Sequence, residues 1–507
     1  MQTPLLSVEN QFSQPTTHAI VLDILEKVWP IFLVDLTTAL DDFFNASIVS
    51  SFSPKEDFSA AAAIIFTTQA AYIVVPSAFL YTISFTIPYH ENKKMVVTNS
   101  IALALLVGFP VSILAYFTGN IFSYIGTPNS VCNIVDEYYS VFAFALPLMI
   151  MAISLHQAAI GLDKKKWLYI SGLINLVSTL GTSFLFTKIY PLNFLSKIKT
   201  VAFSFLFGSG IMRFAFYGAV FAHEGLLEKP RFLILTTHKE NFLDMFKKGY
   251  QICIQVFSEL SALNILAFLT ECFLPNKVEN LNILNAMNQY FFFSIIVPYA
   301  LGQAASTRIG EFCAAKKYDQ VQTYGNYVLA VSTVYNFMYV ILGLAIPKLL
   351  ASLFLDPGEN NNAGMSGNFR AMFTMIFLGL LLNSYREILG MILRPMGIFK
   401  PQKAASIAAL WFVGIPSAIA FAKLTDLGVA GVLMGYYLGV SVGSIYLLNL
   451  WFSSSSPETV KKICENEEDR KKANYIFHWP KDCKSSMYQD ANERNENDTQ
   501  RLFENAV

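Results

Sequence analysis

At 507 residues, with 54% apolar residues, 14% charged residues and 44 phenylalanines, the chain carries a balance that no ordinary water-soluble domain of this length has. Its 36 basic and 36 acidic residues cancel, so only the asymmetry of charge between loops informs, and no nucleic-acid partner is expected. Lipid is the solvent to assume, and helices are the default way across it, because backbone polar groups there must be satisfied within the segment.

Residues 1–27 are read as a cytoplasmic segment. The first 20 lack the basic start and apolar run of a secretory signal. Twelve apolar stretches follow, over 28–52, 59–86, 95–124, 135–161, 167–188, 199–222, 247–273, 281–307, 321–355, 369–393, 402–423 and 428–452. The third, fourth, eighth and ninth are long enough to be tilted, kinked or continued beyond the bilayer. Residues 223–246 form a basic linker between the first six and the second six. Residues 453–507 are polar and mixed in charge, and are expected to be a disordered or loosely helical cytoplasmic tail.

The first stretch holds the sequence DLTTALDDFFNAS, which puts Asp35, Asp41 and Asp42 where lipid excludes charge. On a helical wheel Asp35, Thr38, Asp42 and Asn45 fall within about 80° of one another, and Asp41 lies outside that stripe. A carboxylate at the bilayer centre costs at least about 2.5 kcal/mol, so such groups face a wet cavity or a partner helix. A carboxylate deprived of water binds a proton more readily, and neutralising it lowers the cost of closing a structure around it. The alternative is that these aspartates hydrogen-bond a neighbouring helix or lie near the interface. Further along, His156 and Gln157 in the fourth stretch, Asn175 and Thr179 in the fifth and Arg213 in the sixth are candidate cavity residues. A buried histidine is more often a satisfied core group.

The seventh stretch places Glu259 about ten residues in, with Gln255, Ser258, Ser261 and Asn264 within reach on the same helix. The tenth carries Arg386 and Glu387, and Arg386 is a candidate ion-pair partner for Glu259, since unpaired charges there are expensive. Tyr290, Phe291 to Phe293 and Trp411 are candidate stacking surfaces for aromatic or cationic molecules.

Sixteen Lys and Arg follow even-numbered stretches and about eight follow odd-numbered ones, so both termini are expected on the cytoplasmic side. The six cysteines show no metal-ligand spacing, and no phosphate-cradling GxxxxGK[ST] occurs. The sequon at Asn497 would lie on the wrong side for glycosylation. The chain also resembles itself. "LPLMIMAISLHQAAIGLDKKKWLYISGLINL" and "LGLLLNSYREILGMILRPMGIFKPQKAASIAAL" each run from a helix through a basic turn into the next, with Gly161 opposite Gly397. Two six-helix bundles of like orientation, 28–222 and 247–452, around a central cavity are expected.

The second half resembles a known family, the multidrug and toxic compound extrusion (MATE) transporters. "GYQICIQVFSEL" is similar to the family's GxPx(7)E segment through Gly249 and Glu259, with Gln251 in place of proline. "PYALGQAASTRIGEFCAAKKYDQ" resembles its SxRV[GS]xxLG signature through Ser306, Arg308, Ile309 and Gly310. "ILRPMGIFKPQ" resembles the LRGxGxxxxP turn through Leu393, Arg394 and Gly397. The last two helices resemble the family almost throughout. The likeness covers roughly residues 25–452 and is stronger in the second half.

The resemblance implies an all-α polytopic membrane protein, MATE-like, with two pseudo-symmetric six-helix bundles. It also implies a secondary antiporter that expels amphiphilic, often cationic, organic compounds while protons or sodium ions run inward. No enzyme activity and no cofactor beyond the coupling ion are expected, and the chain is read as a monomer in the cell (inner) membrane. Family members place a functional aspartate near this point of helix one. Asp41 and Asp42 both qualify, and the stripe favours Asp42. Glu259 matches the family's acidic cation ligand, so Asp42 and Glu259 are the candidate sodium ligands. Asn383 stands where many members carry an aspartate, which removes one negative ligand, and helix five offers Asn175 but no acid. Three rival readings are kept: a lipid-linked precursor flippase of the wider superfamily, a membrane-embedded prenyl or lipid transferase suggested only by "DDFFN", and a sensor or scaffold working through its tail.

Overall fold

The computed structural model describes residues 17–465 apart from 51, 53–54, 91, 190–195, 228–238, 275–276, 346–378 and 426. A few side chains within helices, Asp42 among them, also lie outside the described residues.

In chain order the helices are α1 (Thr17–Ser50), α2 (Lys55–Leu80, continued by Thr82–Thr86 and a short turn to Tyr89), α3 (Lys93–Tyr116), α4 (Asn129–Gly161), α5 (Lys165–Phe184) and α6 (Lys197–His223). The second six are α7 (Lys239–Phe273), α8 (Lys277–Ala314), α9 (Tyr318–Ala345), α10 (described over 379–393), α11 (Lys400–Leu424) and α12 (Val429–Ser454). Among the described residues, nine helices are long and apolar enough to cross a bilayer. Helices α1 and α8 have the length, at 34 and 38 residues, but α1 carries the acids noted above. The fold is the all-α polytopic membrane protein that composition and hydropathy predict.

Proline lies inside α1, α2, α3, α4 and α8, at Pro30, Pro76, Pro110, Pro147 and Pro298. Each removes a ladder hydrogen bond and bends its helix. Wide π-turns interrupt α6 at Leu206–Met212 and α11 at Ala408–Gly414, a departure that often marks a functional position. Residues 457–465, in the expected tail, form a further helix with Val460 fully buried.

The halves α1–α6 and α7–α12 meet chiefly where α1 packs on α8 and α2 packs on α7. Those two crossings exchange places when helix one is paired with seven and two with eight, as a pseudo-two-fold arrangement requires. Gly249 permits the second crossing, because a Cβ there would lie 2.6 Å from the Phe79 carbonyl oxygen. This gives the glycine of the seventh-helix motif a packing role.

The apolar core shows where the halves join. One large cluster draws buried residues from both halves at the end carrying the basic loops, including Ile24, Val34, Leu155, Ala304, Ile309 and Leu393. At the other end each half keeps its own core. Val49, Val135, Phe142 and Phe205 belong to one, and Leu266, Phe291, Leu410 and Tyr436 to the other. Among the described residues, the molecule is fused at its basic end and divided at the opposite end.

Candidate functional site

The acids of α1 do not share one environment. Asp41 is buried at 1% exposure, where α1 packs against α5. Asn175 Nδ2 of α5 donates to Asp41 Oδ2 at 3.3 Å, and Asn45 Nδ2, one turn on, donates to Asp41 Oδ1 at 3.3 Å and to its carbonyl at 2.9 Å. Behind them Ser209 Oγ, from the π-turn of α6, donates to Asn175 Oδ1 at 2.6 Å and lies 3.3 Å from Thr179 Oγ1. The amide of Asn175 is thereby oriented with its nitrogen toward the acid. Asn45 also lines a pocket with Gln69, Tyr138, Phe66, Val201 and Phe205, so the buried acid lies one residue away from a mixed aromatic and polar hollow.

Asp35 is half-buried, and its Oδ2 has no hydrogen-bond partner among the described residues. Arg213 lies within electrostatic reach of it, with Nε donating to Ser171 Oγ at 3.1 Å. Asp42 is on α1, but its side chain is outside the described residues. The helical stripe favoured Asp42. Asn45, grouped with Asp42 by the stripe, donates to Asp41, and α1 packs on α2, α5 and α8, so more than one of its faces is buried.

His156 is a core residue, its Nδ1 2.9 Å from Tyr217 OH. Gln157 faces a small cavity between the halves that is also lined by Tyr81, Tyr299, Gln303, Ser306 and Arg394. Gln157 Oε1, Ser306 Oγ and Arg394 Nε are buried there without a hydrogen-bond partner among the described residues. Buried polar atoms of this kind are normally satisfied by water.

In the second half the charges converge as the ion-pair expectation required. Arg386 Nη1 donates to Glu259 Oε1 at 2.5 Å and Arg386 Nη2 to Glu387 Oε1 at 2.6 Å, with all three side chains nearly or largely buried. Ser406 Oγ of α11 and Gln255 Nε2 donate to the same Glu259 oxygen at 2.8 and 3.2 Å. Asn383 Oδ1 accepts from Arg386 Nη2 at 3.0 Å and Nε at 3.3 Å. The amide at 383 has a physical reason: an aspartate there would be a third carboxylate against one guanidinium. Asn264 is exposed and takes no part. Trp411 Nε1 donates to Ser258 Oγ at 2.9 Å, which fixes that ring against α7.

Sequence reasoning missed Ser406, Ser209 and the pocket residues Gln69 and Tyr138, because nothing in their local pattern marks them. Lys, Arg and acidic residues flanking the spans were read only as orientation signals. At the basic end, however, Arg308 of α8 pairs with Asp23 of α1, and Lys27 of α1 pairs with Glu311 of α8. Among the described residues, no group of three or more His, Cys, Asp or Glu is placed to hold a metal ion. Glu259 Oε1 already accepts three donors, one of them the Arg386 guanidinium.

The family model described as MatE matches residues 252–420. "Probable multidrug resistance protein YoeA" of Bacillus subtilis is 22% identical over 70% of this chain and 76% of its own length. "Probable multidrug resistance protein NorM" of Deinococcus radiodurans is 21% identical, and there the match spans only 40% of this chain and 45% of the relative. The structure resembles that of the eukaryotic MATE transporter AtDTX14, at 17% identity, with a TM-score of 0.76 over 88% of this chain and 98% of that one. It also resembles an outward-facing multidrug resistance MATE family transporter, at 14% identity and TM-score 0.76 over 87% and 96%. With the motifs of the second half, the shared fold and a MatE family model matched over residues 252–420, the chain carries a MatE domain and is similar to the multidrug and toxic compound extrusion (MATE) transporters.

Proposed function

We propose that this protein is a secondary antiporter that exports amphiphilic, cationic organic compounds while protons or sodium ions flow inward, by alternating access between lobes 28–222 and 247–452. It works as a monomer in the cell (inner) membrane, with both termini and the basic loops cytoplasmic. On that orientation the fused end closes the cytoplasmic side and the divided end faces outward. The observation that carries the reading is Asp41. It is a deeply buried carboxylate on the helix that bridges the halves, held by neutral amides and adjoining an aromatic pocket through Asn45.

The coupling logic is electrostatic. A buried carboxylate is costly when charged, so an incoming cation that neutralises Asp41 changes what α1 can pack against. Asn45 and Asn175 sit on that carboxylate and report its charge to α5 and α6 through Ser209. Cargo between the lobes and the cation at Asp41 then compete, which makes the exchange obligatory. Asp35 and Asp42 lie on the same helix and supply further negative charge along the route, and Glu259 holds the second lobe through Arg386.

The test is gradient-driven efflux of a fluorescent cationic dye from liposomes under an imposed proton or sodium gradient. Asp41→Asn is expected to abolish the gradient-driven part, with the protein folded. Full efflux from both Asp41→Asn and Asp42→Asn would overturn the reading.

A further inference from the structure

We propose that Arg386 is the residue that closes the second half to sodium: its guanidinium occupies the position between Glu259 and Glu387 that a small cation would otherwise take. The two carboxylates approach it from different elements, Glu259 from α7 at 2.5 Å and Glu387 from α10 at 2.6 Å. Asn383 turns its carbonyl oxygen to Nε and to the Nη2 that Glu387 also holds. Ser406 completes the cage from α11, 3.5 Å from Nη1. On the α12 side the aliphatic stem is covered, since a Cβ at Gly443 would lie 3.7 Å from Arg386 Cδ.

Every oxygen named here would suit a hard cation, and carboxylate, amide and hydroxyl oxygens are the ordinary ligands of one. All of them are turned instead toward a cation that belongs to the chain. A guanidinium makes several directed hydrogen bonds from one planar group, so it is held more firmly than a single hydrated ion. Sodium entering beside it would place a second positive charge against the first in a buried site, where such repulsion is poorly screened.

A tethered cation cannot be exchanged between two compartments, and an ion gradient does work only through an ion that leaves. On the antiporter reading, which this inference deepens, the second half is a permanently loaded lobe and the exchangeable cation binds at α1 alone.

The experiment reads ion binding, so it can fail independently of any transport assay. Purified full-length protein in detergent is melted in sodium chloride and in equimolar potassium chloride, as wild type, Glu259→Gln, Arg386→Lys, Arg386→Met and Arg386→Met with Glu259→Gln. Wild type and Arg386→Lys are expected to melt at the same temperature in both salts. Arg386→Met is expected to gain a saturable rise of about 2–4 °C in sodium over potassium, and the added Glu259→Gln to remove it. Should Arg386→Met survive purification only in sodium, that also supports the proposal. It is overturned if wild type is stabilised by sodium in a way that Glu259→Gln abolishes. It is equally overturned if Arg386→Met folds without a sodium response, or fails to fold in either salt.

Discussion

Asp23 Oδ2 of α1 lies 3.3 Å from Arg308 Nε of α8, and one turn along α1 the polarity reverses, with Lys27 Nζ 3.5 Å from Glu311 Oε1. The first contact is an ion pair without hydrogen-bond alignment, as neither atom has a hydrogen-bond partner among the described residues. Arg308 Nη1 also donates to Glu311 at 2.6 Å, and Lys27 lies 3.4 Å from Asp163. The two halves are thus laced together at the basic end by alternating charges.

Opening that end must break these pairs. Both are partly exposed, so each is expected to hold the closed state by about 0.5–1 kcal/mol, with salt weakening it. Arg308→Gln with Lys27→Gln should raise the population open at the basic end several-fold. Maleimide labelling of Cys313, buried in the joint core and kept as the sole cysteine, should speed up in proportion. Unchanged labelling would mean that apolar packing alone holds the end shut.

At Asp41 the decisive comparison is with its orienting shell. Asn175→Ala removes one donor from the carboxylate and leaves Ser209 without its acceptor. Efflux should fall several-fold, less than in Asp41→Asn, and its pH dependence should move. Ser209→Ala is expected to act in the same direction more weakly, since it touches the acid only through Asn175. Dye efflux against external pH measures both.

The Glu259–Arg386–Glu387 cluster predicts strong non-additivity. Glu259→Gln strands a buried guanidinium with half its negative charge, and a loss of about 3–5 kcal/mol in stability is expected. Arg386→Met strands two carboxylates and should cost as much or more. Combining Glu259→Gln with Arg386→Met should cost clearly less than the two single changes added together. Thermal melts of the four proteins in potassium chloride decide it.

Gly249 predicts a packing defect at a signature position. Its Cβ would meet backbone, the Phe79 carbonyl oxygen at 2.6 Å and the Phe79 Cα at 3.0 Å, where no side chain can swing away. Gly249→Val should therefore push α7 off α2 and cost about 1–3 kcal/mol. Gly218→Ala, with nothing within 4 Å of the added carbon, should cost little and serves as the control. Comparing the melting temperatures of the two variants is sufficient.

Hydropathy and composition by themselves determined that this is a helical membrane protein, and they located the helices that carry acids. These are properties of a local sum along the chain: enough apolar residues in a row to cross a bilayer, and a carboxylate too costly to face lipid. The pairing of Glu259 with Arg386 was also within reach, since two opposite charges inside spans seek each other. The partners of Asp41 belonged to the tertiary structure. A helical wheel assumes one buried face, but α1 packs on three helices, and Asn175 reaches Asp41, with Ser209 behind it, from positions no spacing rule connects. Ser406 comes to Glu259 across 147 residues of chain, and Asp23 meets Arg308 only because α1 crosses α8 at the fused end. Those contacts depend on the angles and depths at which helices cross, which packing of all the side chains sets together.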